Sequence, residues 1–189
     1  MNIVILGAQG SGKSTQAKLL ADYLGIAHIS TGKLLRSIAR DSKNPLHGVV
    51  KKEMDSGKLV SNTVVNKVLN RAVENALKHG GFIVDGTPRK IDQLNDLDEL
   101  LKLHDQKVDV VFFIDVSDTE GKKRLLKRSE IEHRSDDTPQ AIDERLKIYH
   151  TQTEPVLKEY ENRGILKRIN GDRPIEPIQK DIQSIITAD

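Results

Sequence analysis

The chain has 189 residues, 31% charged and 37% hydrophobic, with 3% aromatic, no Trp and no Cys. That length fits one α/β domain with a core of Val, Ile, Leu and Ala rather than stacked rings; the missing thiols exclude disulfides, thiolate catalysis and a Cys-ligated zinc. A net charge of +2, from 30 Lys and Arg against 28 Asp and Glu, is too small to argue for a nucleic-acid or membrane partner, so any anion site must be local.

In chain order, the opening MNIVILG carries no charged leader and no long apolar segment. The longest apolar run, Val110 to Ile114, is far below the roughly 20 residues of a membrane span. The cytoplasm is therefore the expected location. The first strand, Ile3 to Leu6, runs into Gly7-Ala8-Gln9-Gly10-Ser11-Gly12-Lys13-Ser14 and then a helix through Ala17, Leu20, Ala21 and Leu24. This is GxxxxGK[ST] in the strand-loop-helix setting that the motif requires. Glycines let backbone N–H groups wrap a triphosphate, the helix N-terminus adds a favourable dipole, Lys13 supplies charge to the β and γ oxygens, and Ser14 is placed to ligate Mg²⁺.

Further strands are expected at Ala27 to Ile29, Phe82 to Val84, Val108 to Asp115 and Ile165 to Ile169. Five short apolar runs alternating with helical patterns predict a P-loop NTPase fold: a five-stranded parallel sheet with helices on both faces. Between the second and third strands, Val64, Val65, Val68, Leu69, Ala72, Val73, Ala76 and Leu77 recur at helical spacing. Ser117 with Glu120 forms a capping box opening a helix after the fourth strand. Thr138-Pro139 starts another, with Ile142, Leu146 and Tyr149 on one face, and Pro155 kinks or divides it. Tyr149 and Tyr160 are expected to face the core. Residues 30–60 are helical but add no strand, and 129–137 (SEIEHRSDD) are polar without an apolar period. Both read as excursions from a single domain spanning 1–189. No repeat, low-complexity tract or Gly/Ser linker marks a second one.

A P-loop alone names no reaction. The Asn-Lys-x-Asp that a guanine-reading switch protein needs is missing. Arginines stand out instead: Arg36, Arg89, Arg124, Arg128, Arg134 and Arg145 lie near expected strand ends or in the two excursions. Planar guanidinium groups suit phosphate oxygens, and phosphoryl transfer is catalysed mainly by positioning and charge stabilisation. The six histidines show no HxxxH spacing, and such transfer needs no strong base.

With GAQGSGKSTQ, ISTGKLLR, GKLV, DGTPRKIDQ and the RLLKR, HRSDD and ERL series in this order, the chain resembles an adenylate kinase over nearly its whole length. The resemblance implies a core sheet, an AMP-binding excursion at 30–60 and a short LID at 128–138 without a zinc insertion. It implies that Gly10, Ser11, Gly12, Lys13, Ser14 and Thr15 hold the ATP phosphates. Thr31, Arg36, Lys58, Leu59, Val60, Gly86, Thr87, Pro88, Arg89 and Gln93 would line the AMP site. Arg124 would pack on the ATP adenine, near the backbone around Arg173, and Arg128 would meet the ATP phosphates. Arg134 and Arg145 would close over the reacting groups from the LID, and Lys13, Arg89, Arg128, Arg134 and Arg145 form the implied catalytic set. Asp85 would organise Mg²⁺, with Asp136 and Asp137 as further candidates. Thr31 and Gln93 favour AMP over UMP or CMP, whose kinases tend to carry Ala and Asn there. ATP and AMP are the implied small-molecule partners, and the family is commonly monomeric.

Two positions depart from the family pattern. STGD is Ser30-Thr31-Gly32-Lys33 here, and DGFPR is Asp85-Gly86-Thr87-Pro88-Arg89. Lys33 predicts altered Mg²⁺ affinity, with Ser14, where the family usually has Gly, returning an oxygen ligand. Two alternatives remain on these residues: a UMP or CMP kinase of the same fold, and a catalytically weakened nucleotide-sensing module, motivated by Lys33 and Thr87.

Overall fold

Residues 1–55, 60–132 and 138–188 are described by the structure, a computed structural model. The elements follow as β1 (Asn2–Leu6), α1 (Lys13–Leu24), β2 (Ala27–Ser30), α2 (Thr31–Arg40), α3 (His47–Asp55), α4 (Asn62–Leu77) and β3 (Phe82–Asp85). Then come α5 (Ile91–Lys102), β4 (Val110–Asp115), α6 (Asp118–Glu132), α7 (Pro139–Ile148), a π-helical turn (Tyr149–Thr153), α8 (Glu154–Asn162), β5 (Leu166–Asn170) and α9 (Ile175–Ala188). The five strands form one sheet in the order β2-β3-β1-β4-β5, and every neighbouring pair is parallel.

Strand periodicity sorts the core into two layers. Val4, Leu6, Val84, Val111 and Phe113 face a cluster completed by Leu69 and Val73 of α4, Leu94, Leu97 and Leu101 of α5, and Val156 and Tyr160 of α8. Ile3, Ile5, Ile83, Phe112 and Ile114 face Ala17, Leu20 and Ala21 of α1 and Ile178 and Ile182 of α9. Helices on both faces bury the central strands β1, β3 and β4, which is why these read as nearly unbroken apolar runs. A third, smaller cluster of Leu35, Val50, Val60, Val64 and Val65 joins α2, α3 and α4.

The fourth strand begins at Val110 rather than Val108. Asp109 donates its N–H to Asn2 O at 2.9 Å and accepts from Asn2 N through Oδ2 at 2.7 Å, contacts that tie the segment to β1 outside the regular ladder. Helices α5 and α9 go beyond the sequence expectation. Helix α1 stops where Gly25, at φ 67°, donates back to Ala21 O, a left-handed C-cap that suits glycine. The Ser117 cap forms, accepting from Glu120 N at 3.3 Å. Pro155 sits in the first turn of α8, where a missing N–H costs little, and the preceding helix divides through the π-helical turn. Tyr149 and Tyr160 are buried. Among the described residues no helix is long and apolar enough to cross a membrane.

His150, in the π-helical turn, ties α6 to α8. Its Nδ1 lies 2.5 Å from Glu154 Oε1 and its Nε2 3.0 Å from Asp118 Oδ2. The Glu154 hydrogen bond, then that to Asp118, raises its pKa above the ordinary 6.5. A raised folded-state pKa means that this stabilisation is complete below 6.5 and is lost as pH rises through the raised value. Thermal melts are therefore expected to lose about 1–3 °C over that rise, the scale of an exposed ion pair. His150→Gln should remove that part of the pH dependence; melts of both proteins across the range check it.

Candidate functional site

The chemistry gathers at the C-terminal ends of the central strands, where the loops after β1 and β3 and the start of α2 meet, the usual ligand crevice of an open parallel sheet. The P-loop after β1 is shaped by glycines. Gly10 has φ +83°, and a Cβ there would lie 2.4 Å from Gly121 O on α6. Gly10→Ala is accordingly expected to strain the backbone and push α6 outward, lowering Tm by about 3–10 °C and weakening anion binding at the loop. Melting and nucleotide titration read the two effects.

Lys13 opens α1 and donates from Nζ to Ala8 O at 3.1 Å. Burial, reinforced by Arg89, Arg128 and Arg145 and opposed by Asp85, lowers its pKa to about 8. Arg89, just after β3, is lowered to about 10, first by burial and then by Arg145 and Arg36, again opposed by Asp85. Its Nε donates to Gly86 O at 2.9 Å, and its carbonyl accepts from Thr153 Oγ1 at 3.1 Å. Clustered cations that depress one another's protonation describe a place built for a polyanion.

Asp85 ends β3 beside Ser30 of β2 in the sheet register. Oδ1 accepts from Ser14 Oγ at 2.9 Å and Ser30 Oγ at 3.3 Å, and Oδ2 lies 2.5 Å from His28 Nε2. Burial raises the Asp85 pKa, but the His28 hydrogen bond, Lys13 and the Ser14 hydrogen bond outweigh it and hold the group below the usual carboxylate value. A carboxylate and a hydroxyl side by side are hard oxygen donors of the type Mg²⁺ takes together with phosphate oxygens. No group of three His, Asp or Glu among the described residues is arranged to hold a metal.

One open cavity of about 150 Å³ collects Lys13, Ser14, Thr31, Arg36, Val60, Asp85, Gly86, Thr87, Arg89, Gln93, Arg128 and Arg145. Pro88 lines an adjoining cavity with Lys13, Arg89 and Arg145. Thr31 Oγ1 and, in the P-loop, Ser11 Oγ are buried without a hydrogen-bond partner. Buried polar atoms left so ask for a polar ligand. Arg124 lies outside these cavities, paired with Glu120 at 2.8 Å and donating to Gly171 O at 3.0 Å. That contact brings α6 to the 170–173 turn, where Arg173 itself turns to Asp181 at 2.6 Å. Gly10, Gly12 and Thr15 belong to the P-loop and the first turn of α1. Lys58, Leu59, Arg134, Asp136 and Asp137 lie outside the described residues.

Lys33 is exposed and lines a shallow surface with Arg36 and Arg40 rather than the main cavity. His28, Ser30, Asn62 and Thr153 were not legible as site residues. The first two could be found only from strand register: β2 pairs with β3 so that Ser30 stands opposite Asp85.

The model of the family described as adenylate kinase matches residues 5–165. The adenylate kinase of Stenotrophomonas maltophilia strain K279a is 40% identical over 189 residues, covering 100% of both chains. That of Pseudarthrobacter chlorophenolicus is 38% identical over 186 residues, 98% of this chain and 96% of the relative. That of Methanothrix thermoacetophila is 36% identical over 213 residues, covering 99% of each chain. With a strand-loop-helix P-loop opening onto a cavity lined by Lys13 and four arginines and this likeness along the whole length, the chain belongs to the adenylate kinase family.

Proposed function

We propose that the chain transfers the γ-phosphoryl group of MgATP reversibly to AMP, giving two ADP. The observation that carries this reading is the convergence of Lys13, Arg36, Arg89, Arg128 and Arg145 on one cavity, more positive charge than a single triphosphate cradle calls for. In this reading Gly10 to Thr15 hold the ATP phosphates, Arg124 and the backbone near Arg173 flank the adenine, and Ser14 with Asp85 holds Mg²⁺. Thr31, Arg36, Lys58 to Val60, Gly86 to Arg89 and Gln93 take AMP. Mg²⁺, when bound, neutralises charge on the ATP phosphates. Lys33, exposed on α2 and outside the main cavity, puts a cation where the family has a carboxylate, and the reading keeps an altered Mg²⁺ affinity as its consequence.

The chemistry asks little covalent work of the protein. An ionised AMP phosphate oxygen forms the new P–O bond while the bond to the β–γ bridging oxygen breaks, and ADP leaves with that electron pair. Lys13 and Arg89, with Arg128, Arg134 and Arg145, stabilise the charge on the transferring group. Closure of the 30–60 and 128–138 excursions excludes water, which would otherwise accept the phosphoryl group. The reading includes a cytoplasmic monomer that acts on ATP and AMP, with neither nucleic acid nor membrane as partner.

The test is ADP formation from ATP with AMP, GMP, CMP or UMP. AMP is expected to be the preferred acceptor by at least about 10²-fold, the discrimination that paired polar groups provide. Preference for CMP or UMP would replace this reading with the pyrimidine one, and binding of ATP without transfer to any acceptor would replace it with a sensor.

A further inference from the structure

Gln93, in the first turn of α5, is 4% exposed in the cavity wall, and its amide is held from three sides. Arg89 N–H donates to Oε1 at 2.8 Å, Thr87 Oγ1 donates to the same oxygen at 3.3 Å, and Nε2 donates to Asn62 Oδ1 at 3.2 Å. A main-chain N–H can only donate, so the amide atom facing Arg89 must be the oxygen; a flipped amide would set two donors against each other. Both lone pairs of Oε1 are then engaged. Nε2 retains one hydrogen beyond the one given to Asn62. Thr87, 1% exposed, and Asn62, at the start of α4, hold the amide from outside α5.

We propose that Asn62 and Thr87 are positioning residues for acceptor-base selection, fixing Gln93 so that its remaining Nε2–H meets the base as a donor. The inference rests on the reading that this cavity takes the monophosphate acceptor. A fixed donor pairs with an unprotonated ring nitrogen, as at adenine N1 or cytosine N3. It opposes the ring N–H of hypoxanthine, guanine or uracil, a mismatch that leaves both groups unpaired. Thr31, whose buried Oγ1 has no partner in the same cavity, offers the second polar contact that a purine would need to distinguish itself from cytosine. AMP and IMP are the sharpest probes, since they have the same sugar phosphate and nearly the same size and differ at the base edge.

Steady-state kinetics with AMP and IMP at saturating ATP decide the matter for Thr87→Val, Thr87→Ser, Asn62→Leu and Asn62→Asp. Thr87→Val and Asn62→Leu keep the volume but remove a partner of the amide. Each is expected to raise KM for AMP about tenfold, with kcat within about twofold, and to lower the AMP:IMP ratio of kcat/KM about tenfold. Thr87→Ser keeps the donated hydrogen and Asn62→Asp the accepting oxygen, so each should hold the AMP:IMP ratio within about threefold of the unsubstituted chain's, whatever its effect on overall turnover. The two losses arise on different elements, so a folding failure in one variant, visible in its melt, leaves the other to decide. An unchanged AMP:IMP ratio in Thr87→Val or Asn62→Leu, or Ser as damaging as Val, would overturn the proposal while leaving AMP as acceptor. Lack of AMP turnover by the unsubstituted chain would overturn the acceptor reading, and this inference with it.

Discussion

Lys13→Met is expected to lower the rate of ADP formation by about 10³-fold or more, because it removes a fixed charge from a site that works by charge stabilisation. The same change should leave the fold intact and raise the Tm of the ligand-free protein. Lys13 is held among Arg89, Arg128 and Arg145, and burial with those charges lowers its pKa to about 8, so the empty site carries an unfavourable charge that a thioether stem relieves. Each kcal/mol so released is read as about 2–4 °C. A lysine whose folded-state pKa is lowered binds fewer protons than the unfolded chain between about 8 and its ordinary 10.5. Stability of the empty protein should therefore rise with pH across that window, and Lys13→Met should abolish this rise. ATP binding near pH 8.5 should also take up protons, as the phosphates restore the charge on Lys13, and calorimetry in buffers of different ionisation enthalpy measures this. Equal activity of Lys13→Met and the unsubstituted chain would remove Lys13 from the mechanism.

Arg89→Lys should reduce kcat/KM for AMP by about 10²-fold although it keeps the charge. The Arg89 side chain is anchored by its Nε to Gly86 O at 2.9 Å, and its backbone by Gln93 Oε1 at 2.8 Å and Thr153 Oγ1 at 3.1 Å. These contacts aim a planar fork that lysine cannot reproduce. Arg89→Ala should cost more, in kcat as well as KM, since charge and geometry go together. Steady-state kinetics with AMP varied at saturating ATP separate the two parameters, and a loss below about threefold in Arg89→Lys would show that the fork is not used.

What was legible in the sequence was what is local in it. The P-loop lies within Gly7 to Ser14, and short apolar runs alternating with helical patterns exposed the parallel sheet because both faces of the central strands β1, β3 and β4 are buried. Arg36, Arg89, Arg128 and Arg145 come from four separate segments, and only the family resemblance joined them before the cavity did. His28 and Ser30 reach Asp85 across a strand pair, Asn62 reaches Gln93 from the start of another helix, and Thr153 reaches Arg89 from a π-helical turn. Each is a contact between distant segments that neither motif nor periodicity encodes. Lys33 shows the converse. It sits inside a motif, yet helical geometry turns it outward from the cavity that Thr31, Gly32 and Arg36 line.

The two-nucleotide site is the central claim, and product stoichiometry tests it most directly. Purified protein given ATP, AMP and Mg²⁺, followed by ³¹P NMR, should yield two ADP for each AMP consumed with no inorganic phosphate, and should regenerate ATP and AMP when started from ADP alone. Release of inorganic phosphate from ATP with AMP unchanged would contradict the account.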